Sequence, residues 1–513
     1  MAPNLAALLC CVGIAGLFLL DRQKAFRTSP ALWLPIIWLG LGSSRGISEW
    51  LGMAPGTDSP DQALEGSPID RALVIVLLLA GLIVLFKRRR EVSALVRANG
   101  PVLFFLAYAV LSVAWSDFPL VSLKRWSKCA GNVVMVWVVL TDPAPRAAVE
   151  RFFGRPAFVL IPLSVLFIKY FPQLGRSYDR WVGTPFYNGV ATGKNSLGVI
   201  CLVFGLVSAW RVIEALKARP RPTATLVAHG TILAMVVWLF HMANSATSMA
   251  CFVLGTCILI AMHKRSVTAV HTTVASAVVL GAVVFLLLDG YGTIVRALGR
   301  NVTLTGRTYL WDEVLKLVDR PLIGTGFESF WFGPRAEHLW QMYWWHPNQA
   351  HNGYLECYLN LGLIGVGLLV VLLLSGYRNA IGLYRQQSAS APLILAMLAA
   401  SLLYNCTEAA FKVMNPLWIS FLLTATAVPP PAPAMTNARQ PASLRGVPLL
   451  PRWSVRRKGV PAMRRNDSQA AAGSHGGPEL AKKPAGARDC QEGVRRRPSR
   501  RPRMPWRRSS GLE

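Results

Sequence analysis

HPNQAHNGYLECYLNLGLIGVG fills residues 346–367. It opens polar, with two histidines, two asparagines and a glutamate before Cys357. From there it turns apolar, and no charged residue follows until Arg378. An uncharged run of that length crosses a bilayer as a helix, which needs roughly 17–25 residues. The stretch therefore reads as a membrane helix with a cluster of chemically capable side chains at its mouth.

The same signal recurs along the chain. Residues are 53% hydrophobic and mean hydropathy is +0.39. Apolar runs fall near 3–20, 31–44, 71–87, 101–115, 126–141, 155–170, 194–211, 223–242, 245–262, 268–288, 357–375, 390–406 and 414–428. Two of them, 31–44 and 414–428, are short. The expected fold is all-α: a polytopic integral membrane protein with about 12–13 transmembrane helices. Residues 1–288 form the first part of the bundle, 289–356 a large outer loop with short helices, and 357–428 the last helices. The first run lacks the basic n-region and small-residue cleavage pattern of a signal peptide, so it reads as a retained helix.

Charge orients the bundle. The basic loops DRQKAFR, KRRREVSALVR, RPRP, HKR and YRNAIGLYR alternate with acidic or mixed ones. Lys and Arg mark the cytoplasmic side, which turns the 289–356 loop outward, to the periplasm of a Gram-negative inner membrane. The net charge of +29 is uneven, and residues 429–513, with 19 Lys/Arg against 5 Asp/Glu, carry about half of it. That Pro/Arg/Gly-rich segment cannot bury a core and reads as a disordered cytoplasmic tail. It can lie on anionic lipid, and nucleic acid is not an expected partner. Most of the nine cysteines sit in apolar runs without metal-ligand spacing, so neither a disulfide frame nor a metal site is expected.

Three outer segments break the charge rule: Lys124, Arg125 and Lys128; Arg176 and Arg180; and Lys194 at the start of a helix. Such cations either snorkel to headgroups or gather around a phosphate. Together they point to an outward pocket for a phosphate or pyrophosphate at the lipid surface. Arg307 precedes an amphipathic stretch over 309–318, another helix start that favours an anion. Tryptophans in WFGPRAEHLWQMYWW either lie at the membrane interface or stack on sugar rings. GVATGKN is not a phosphate-binding P-loop, because Asn195 stands where Ser or Thr is needed. GSSRG, around Ser44, lacks the strand-to-helix setting of a nucleophile elbow. No HExxH and no DxD pair is present.

In order, WSDFPLVSLKRW, GKNSLG, GRTYLW, PLIGTGFESFW, HNGYLE…NLGLIGVG and NCTEAAF…NPLW resemble the O-antigen ligase and polysaccharide polymerase superfamily, especially its exopolysaccharide-production branch. The resemblance covers roughly residues 30–428. It implies a glycosyltransferase working without cofactor or metal at the periplasmic face. Its donor would be a glycan on undecaprenyl pyrophosphate. The other implied partners are a glycan acceptor, membrane lipids and a regulator of chain length. On this resemblance His351 is the base for the acceptor hydroxyl, while Arg180 and Arg307 grip the pyrophosphate with Lys194 assisting. Asn352 and Glu356 orient His351 or bind sugar hydroxyls, and Glu356 equally suits a helix start. His346 is structural or touches sugar. Asn405 and Glu408 either line the cavity or make a polar contact between helices. Direct displacement would invert the anomeric centre. The resemblance favours a polymerase joining lipid-linked repeat units into exopolysaccharide; an O-antigen ligase acting on lipid A-core, ligation to protein, and a glycolipid transporter are the alternatives. Few mid-span charges argue against the last.

Overall fold

The computed structural model describes residues 2–22, 27–53, 67–178, 183–262, 275 and 303–429. The expected span at 268–288, Arg180, the first part of the outer loop and the tail from 430 lie outside the described residues. Among the described residues the fold is helical, with one short hairpin.

The helices follow the apolar runs. α1 is Pro3–Leu20, α2 Trp33–Gly42, α3 Pro68–Lys87, α4 Arg89–Ala98 and α5 Gly100–Leu111. α6 is Pro119–Leu140, α7 Pro145–Tyr170, α8 Lys194–Lys217, α9 Thr223–Ala243 and α10 Ala246–Ala261. α11 is Thr303–Lys316, α12 Pro334–Met342, α13 Gly353–Arg385, α14 Ala391–Thr407 and α15 Pro416–Ala425. Six of the described helices (α1, α3, α7, α8, α9, α13) are long and apolar enough to cross a membrane by themselves. Four shorter apolar helices, at Pro30–Gly42, Ala246–Ala261, Ala391–Thr407 and Pro416–Ala425, account for further expected spans. The expected 101–115 span is the second limb of a pair bent by 85°, whose first limb is the amphipathic α4. The chain is a multi-pass membrane protein.

α8 is the central helix, buried over most of its length against α7, α9 and α10. Its far end carries Arg211, whose guanidinium meets Glu150 of α7 at 2.7 Å and Asp21, just past α1, at 3.5 Å. His229 of α9 stands 3.6 Å from the same Asp21 oxygen. Charges taken out of water need such partners. This group pins the end of α1 to three helices of the bundle.

α13 is broken at Gly362, whose φ of 65° and ψ of −167° are not helical. A break frees backbone donors and acceptors, and in a membrane these must be met from within the protein. The segment before it in sequence meets them. Gly326 N donates to Asn360 O at 2.9 Å, and Thr325 N to Leu359 O at 3.2 Å. Leu363 N donates to Pro321 O at 2.9 Å, and Ile364 N to Leu322 O at 3.1 Å. PLIGTG is thus laid along NLGLIG like a paired strand.

The outer segment also has its own small core of Leu310, Val314, Phe330, Leu339, Ala350 and Leu359. The tryptophans of this segment close that core, which neither sequence reading anticipated. Trp311 Nε1 donates to Ala350 O at 2.7 Å, and Trp340 Nε1 to Pro347 O at 2.9 Å. Trp344 alone among them remains largely exposed.

Gly362 is the residue to test. A Cβ there would collide with the Leu322 backbone, and its positive φ disfavours any L side chain by about 1–2 kcal/mol before the clash is added. Gly362→Ala should lower the thermal midpoint of detergent-solubilised protein by several degrees. An unchanged midpoint would show that the pairing of the outer segment with α13 does not depend on this break.

Candidate functional site

The site is organised around one carboxylate. α14 ends at Thr407, and the chain leaves it at Glu408, the C-cap residue in an extended conformation. Asn405, one turn earlier, holds the exit in shape: its Oδ1 accepts from Ala410 N at 2.8 Å and Phe411 N at 3.0 Å. Gly353 packs directly on that same amide oxygen, and Gly353 N donates to Glu408 O at 3.1 Å. The start of α13 is thereby docked on the end of α14.

Asn352 is the N-cap of α13. Its Oδ1 accepts from Tyr354 N and Leu355 N, each at 3.0 Å, satisfying two of the donors a helix start leaves open. His351, just before the cap, has a left-handed φ of 52°. That conformation turns its ring toward α14, where Nδ1 lies 3.0 Å from Glu408 Oε2. Glu408 Oε1 accepts from Arg307 of α11 at 3.0 Å and from Asn195 Nδ2 of α8 at 3.0 Å. Arg307 also donates to Thr407 O. One carboxylate, 6% exposed, so collects three donors from three segments.

Burial by itself pushes the Glu408 carboxyl upward, because it penalises the charged form. The hydrogen bonds from His351 and Arg307, with the Arg307 charge, outweigh it and hold the group below its ordinary value. The carboxylate is therefore ionised at neutral pH. A carboxylate on Nδ1 keeps the imidazole proton on that nitrogen and leaves the Nε2 lone pair available to accept another. His351 and Arg307 each keep a side-chain exposure of 20%, so the pair is reachable while its carboxylate is not.

Beside this cluster lies a half-open cavity of about 720 Å³. Its walls are the strand Pro185–Tyr187, the start of α8, the end of α9, and Gln349. Lys194, the first residue of α8, lines it and is exposed. Asn195 connects the two features, since it lines the cavity and donates to Glu408.

Among the described residues, the remaining sequence candidates do not bond to Glu408. Arg176, on strand β1 (Arg176–Tyr178), donates twice to Ile168 O and lies over the Tyr187 ring of β2 (Pro185–Tyr187) at 5.5 Å. Arg125 pairs with Glu328 at 3.3 Å and stacks on Phe332 at 4.5 Å. Lys124 is exposed near the start of α6. Asn352 is committed to its helix cap. Glu356, 5% exposed, accepts from Trp331 Nε1 at 2.9 Å and Ala350 N at 2.6 Å, so its first duty is to tie the outer segment to α13. His346 stacks on Trp340 with ring centroids 4.7 Å apart. Two further residues were not singled out in the sequence. Lys412 reaches Gln349 Oε1 at 3.1 Å and stands 3.8 Å from Glu356. Asn195 stands inside GKNSLG, next to the lysine that a charge argument selects. Among the described residues, no group of three or more His, Cys, Asp or Glu side chains is placed to hold a metal ion.

Two comparisons with known proteins bear on this arrangement. The O-antigen ligase family profile matches residues 230–370, which include Arg307, His351 and the Gly362 break. The exopolysaccharide production protein ExoQ of Rhizobium meliloti (strain 1021) is 25% identical over 338 residues, spanning 63% of this chain and 75% of that one. Both bear out the resemblance read from the sequence.

The carboxylate makes a pH prediction. A group held below its ordinary value stabilises the fold above the unfolded carboxylate pKa and loses that contribution as pH falls through the folded one. Glu408→Gln should cost about 3–5 kcal/mol at neutral pH, as expected for one partner removed from a buried pair. The gap between variant and wild-type melting midpoints should close on acidification below the carboxylate range. A gap that stays constant with pH would show that the charge of Glu408 contributes nothing.

Proposed function

We propose that this multi-pass membrane protein of the O-antigen ligase and polysaccharide polymerase superfamily is a glycosyltransferase that joins lipid-linked repeat units into exopolysaccharide. The donor is a glycan on undecaprenyl pyrophosphate, and the reaction takes place at the periplasmic face of the bacterial inner membrane. The observation that carries this reading is the His351–Glu408–Arg307 cluster beside a cavity entered by Lys194.

The steps follow from the residues. An acceptor sugar hydroxyl attacks the anomeric carbon of the donor. The bond from that carbon to the pyrophosphate oxygen breaks, and its electron pair leaves with the pyrophosphate. His351 Nε2 takes the hydroxyl proton, and Glu408 stabilises the imidazolium that forms. Negative charge grows on the leaving group in the transition state, where fixed cations are most effective. Arg307 and Lys194 supply that charge, together with Arg180, which lies outside the described residues. Attack opposite the leaving group inverts the anomeric centre. The ion pair of Arg307 with Glu408 holds the guanidinium ready near the base.

The second reading is a ligase that moves a finished chain to lipid A-core. The name of the matching family favours it, whereas the name of the relative favours production of exopolysaccharide.

A single variant separates them. Cells carrying only His351→Ala, with the protein's membrane level verified, should lose long polysaccharide and accumulate single lipid-linked repeats. The expected loss of rate is about 10²–10⁴-fold, the contribution of a positioned base. Full-length chains stranded on the polyprenyl carrier would identify the ligase. Unchanged polymer would remove His351 as the base and the mechanism with it.

A further inference from the structure

We propose that the cavity beside the His351–Glu408 pair is a saccharide subsite, holding the first sugar of the lipid-linked donor and selecting for its identity. This rests on the donor chemistry of the preceding section and names the part of the donor that the cavity takes.

The lining determines the class of ligand. Phe186, Lys194, Asn195, His241, Asn244 and Gln349 all face the same space, and its lining contains no carboxylate. A volume of about 720 Å³ falls in the range of small-molecule sites. A lipid chain would call for a lining apolar throughout, whereas here the ammonium, imidazole and amides stand among Pro185, Phe186, Tyr187 and Met242. A pyrophosphate alone would use only donors, such as Lys194 and the open N–H groups at the start of α8. Amide oxygens of Asn and Gln are acceptors, and a phosphate has nothing to give them. Sugar hydroxyls donate and accept at once, so they match a wall of amides, an imidazole and an ammonium. Phe186 adds an aromatic surface on which the C–H face of a pyranose packs. It stands opposite Ser177 in the β1–β2 pairing.

The walls also put the sugar beside the chemistry. Asn195 lines the cavity and binds Glu408 at 3.0 Å. Gln349 lines it two residues ahead of His351 and accepts from Lys412 at 3.1 Å. Asn244 is brought in by the corner between α9 and α10, where it takes a left-handed φ of 47° that an asparagine tolerates. With Lys194 at the phosphate side, the sugar bonded directly to the pyrophosphate is the part of the donor that meets the amides and Phe186.

The test is binding by the full-length protein in lipid nanodiscs, without turnover. The probes are the purified lipid-linked repeat unit of the source cell and undecaprenyl pyrophosphate bearing no sugar. Wild type should bind the glycan-bearing lipid at least about tenfold more tightly, which corresponds to about 1.4 kcal/mol. Phe186→Ala and His241→Ala should each weaken the glycan-bearing lipid by about three- to tenfold, as for one stacked ring or neutral hydrogen bond. Both should leave the bare lipid within about twofold. Lys194→Gln should weaken both lipids alike. Equal wild-type affinities for the two lipids, or cavity variants that weaken both equally, would overturn the subsite while leaving the pyrophosphate reading intact. Failure of wild type to bind either lipid would overturn both.

Discussion

A buried carboxylate that must find partners is the constraint from which the site follows. Glu408 is almost out of water, and such a charge is tolerated only when it is paired and hydrogen-bonded. Its three donors come from Asn195, Arg307 and His351, which belong to three well-separated parts of the chain. Satisfying one side chain therefore fixes the start of α8, the outer helix α11 and the mouth of α13 against the end of α14. The same bonds that stabilise the charge set the imidazole tautomer and hold a guanidinium beside it. Structural need and chemical readiness are met by one set of contacts.

The scaffold for this cluster is a second consequence of polar groups with nowhere else to go. The break at Gly362 would leave backbone groups open in the bundle, and the PLIGTG segment covers them. Asn360 adds to the seam, accepting from Ser329 N at 2.8 Å and Phe330 N at 3.1 Å. Glu356 and Trp331 close it further along. The segment before α13 is thus tied down over the helix that carries His351, and a loop acquires the rigidity that exact placement of a side chain requires.

Part of this was legible in the sequence. His351, Arg307 and Lys194 were picked out by residue type and position, and the structure brings them to one region. Arg125 and Arg176 were picked out by the same charge argument; Arg125 meets Glu328 and Arg176 donates to the Ile168 carbonyl, as Arg307 meets Glu408. A charge rule counts cations without seeing which carboxylate or carbonyl lies opposite. Glu408 was read two ways, because its partners are remote in sequence and no local pattern joins them. The tryptophans have a role that no local pattern shows: Trp311 and Trp340 pack on the small core and donate to Ala350 O and Pro347 O, while Trp344 stays largely exposed.

By itself the sequence determined what depends on local composition: that the chain spans a membrane many times, where most spans lie, and which segment is both polar and near the membrane. Hydropathy over a helix length and the side distribution of Lys and Arg are summed along the chain, so they can be read along it. The tertiary structure alone decided which polar residues meet. The pairing of His351 with Glu408, the seam that residues 321–326 make with the Gly362 break, and the cavity between α8, α9 and the hairpin all arise between segments distant in the chain. Burial strengthens such contacts by excluding water, and burial is a property of the packed bundle, which no local stretch of sequence contains.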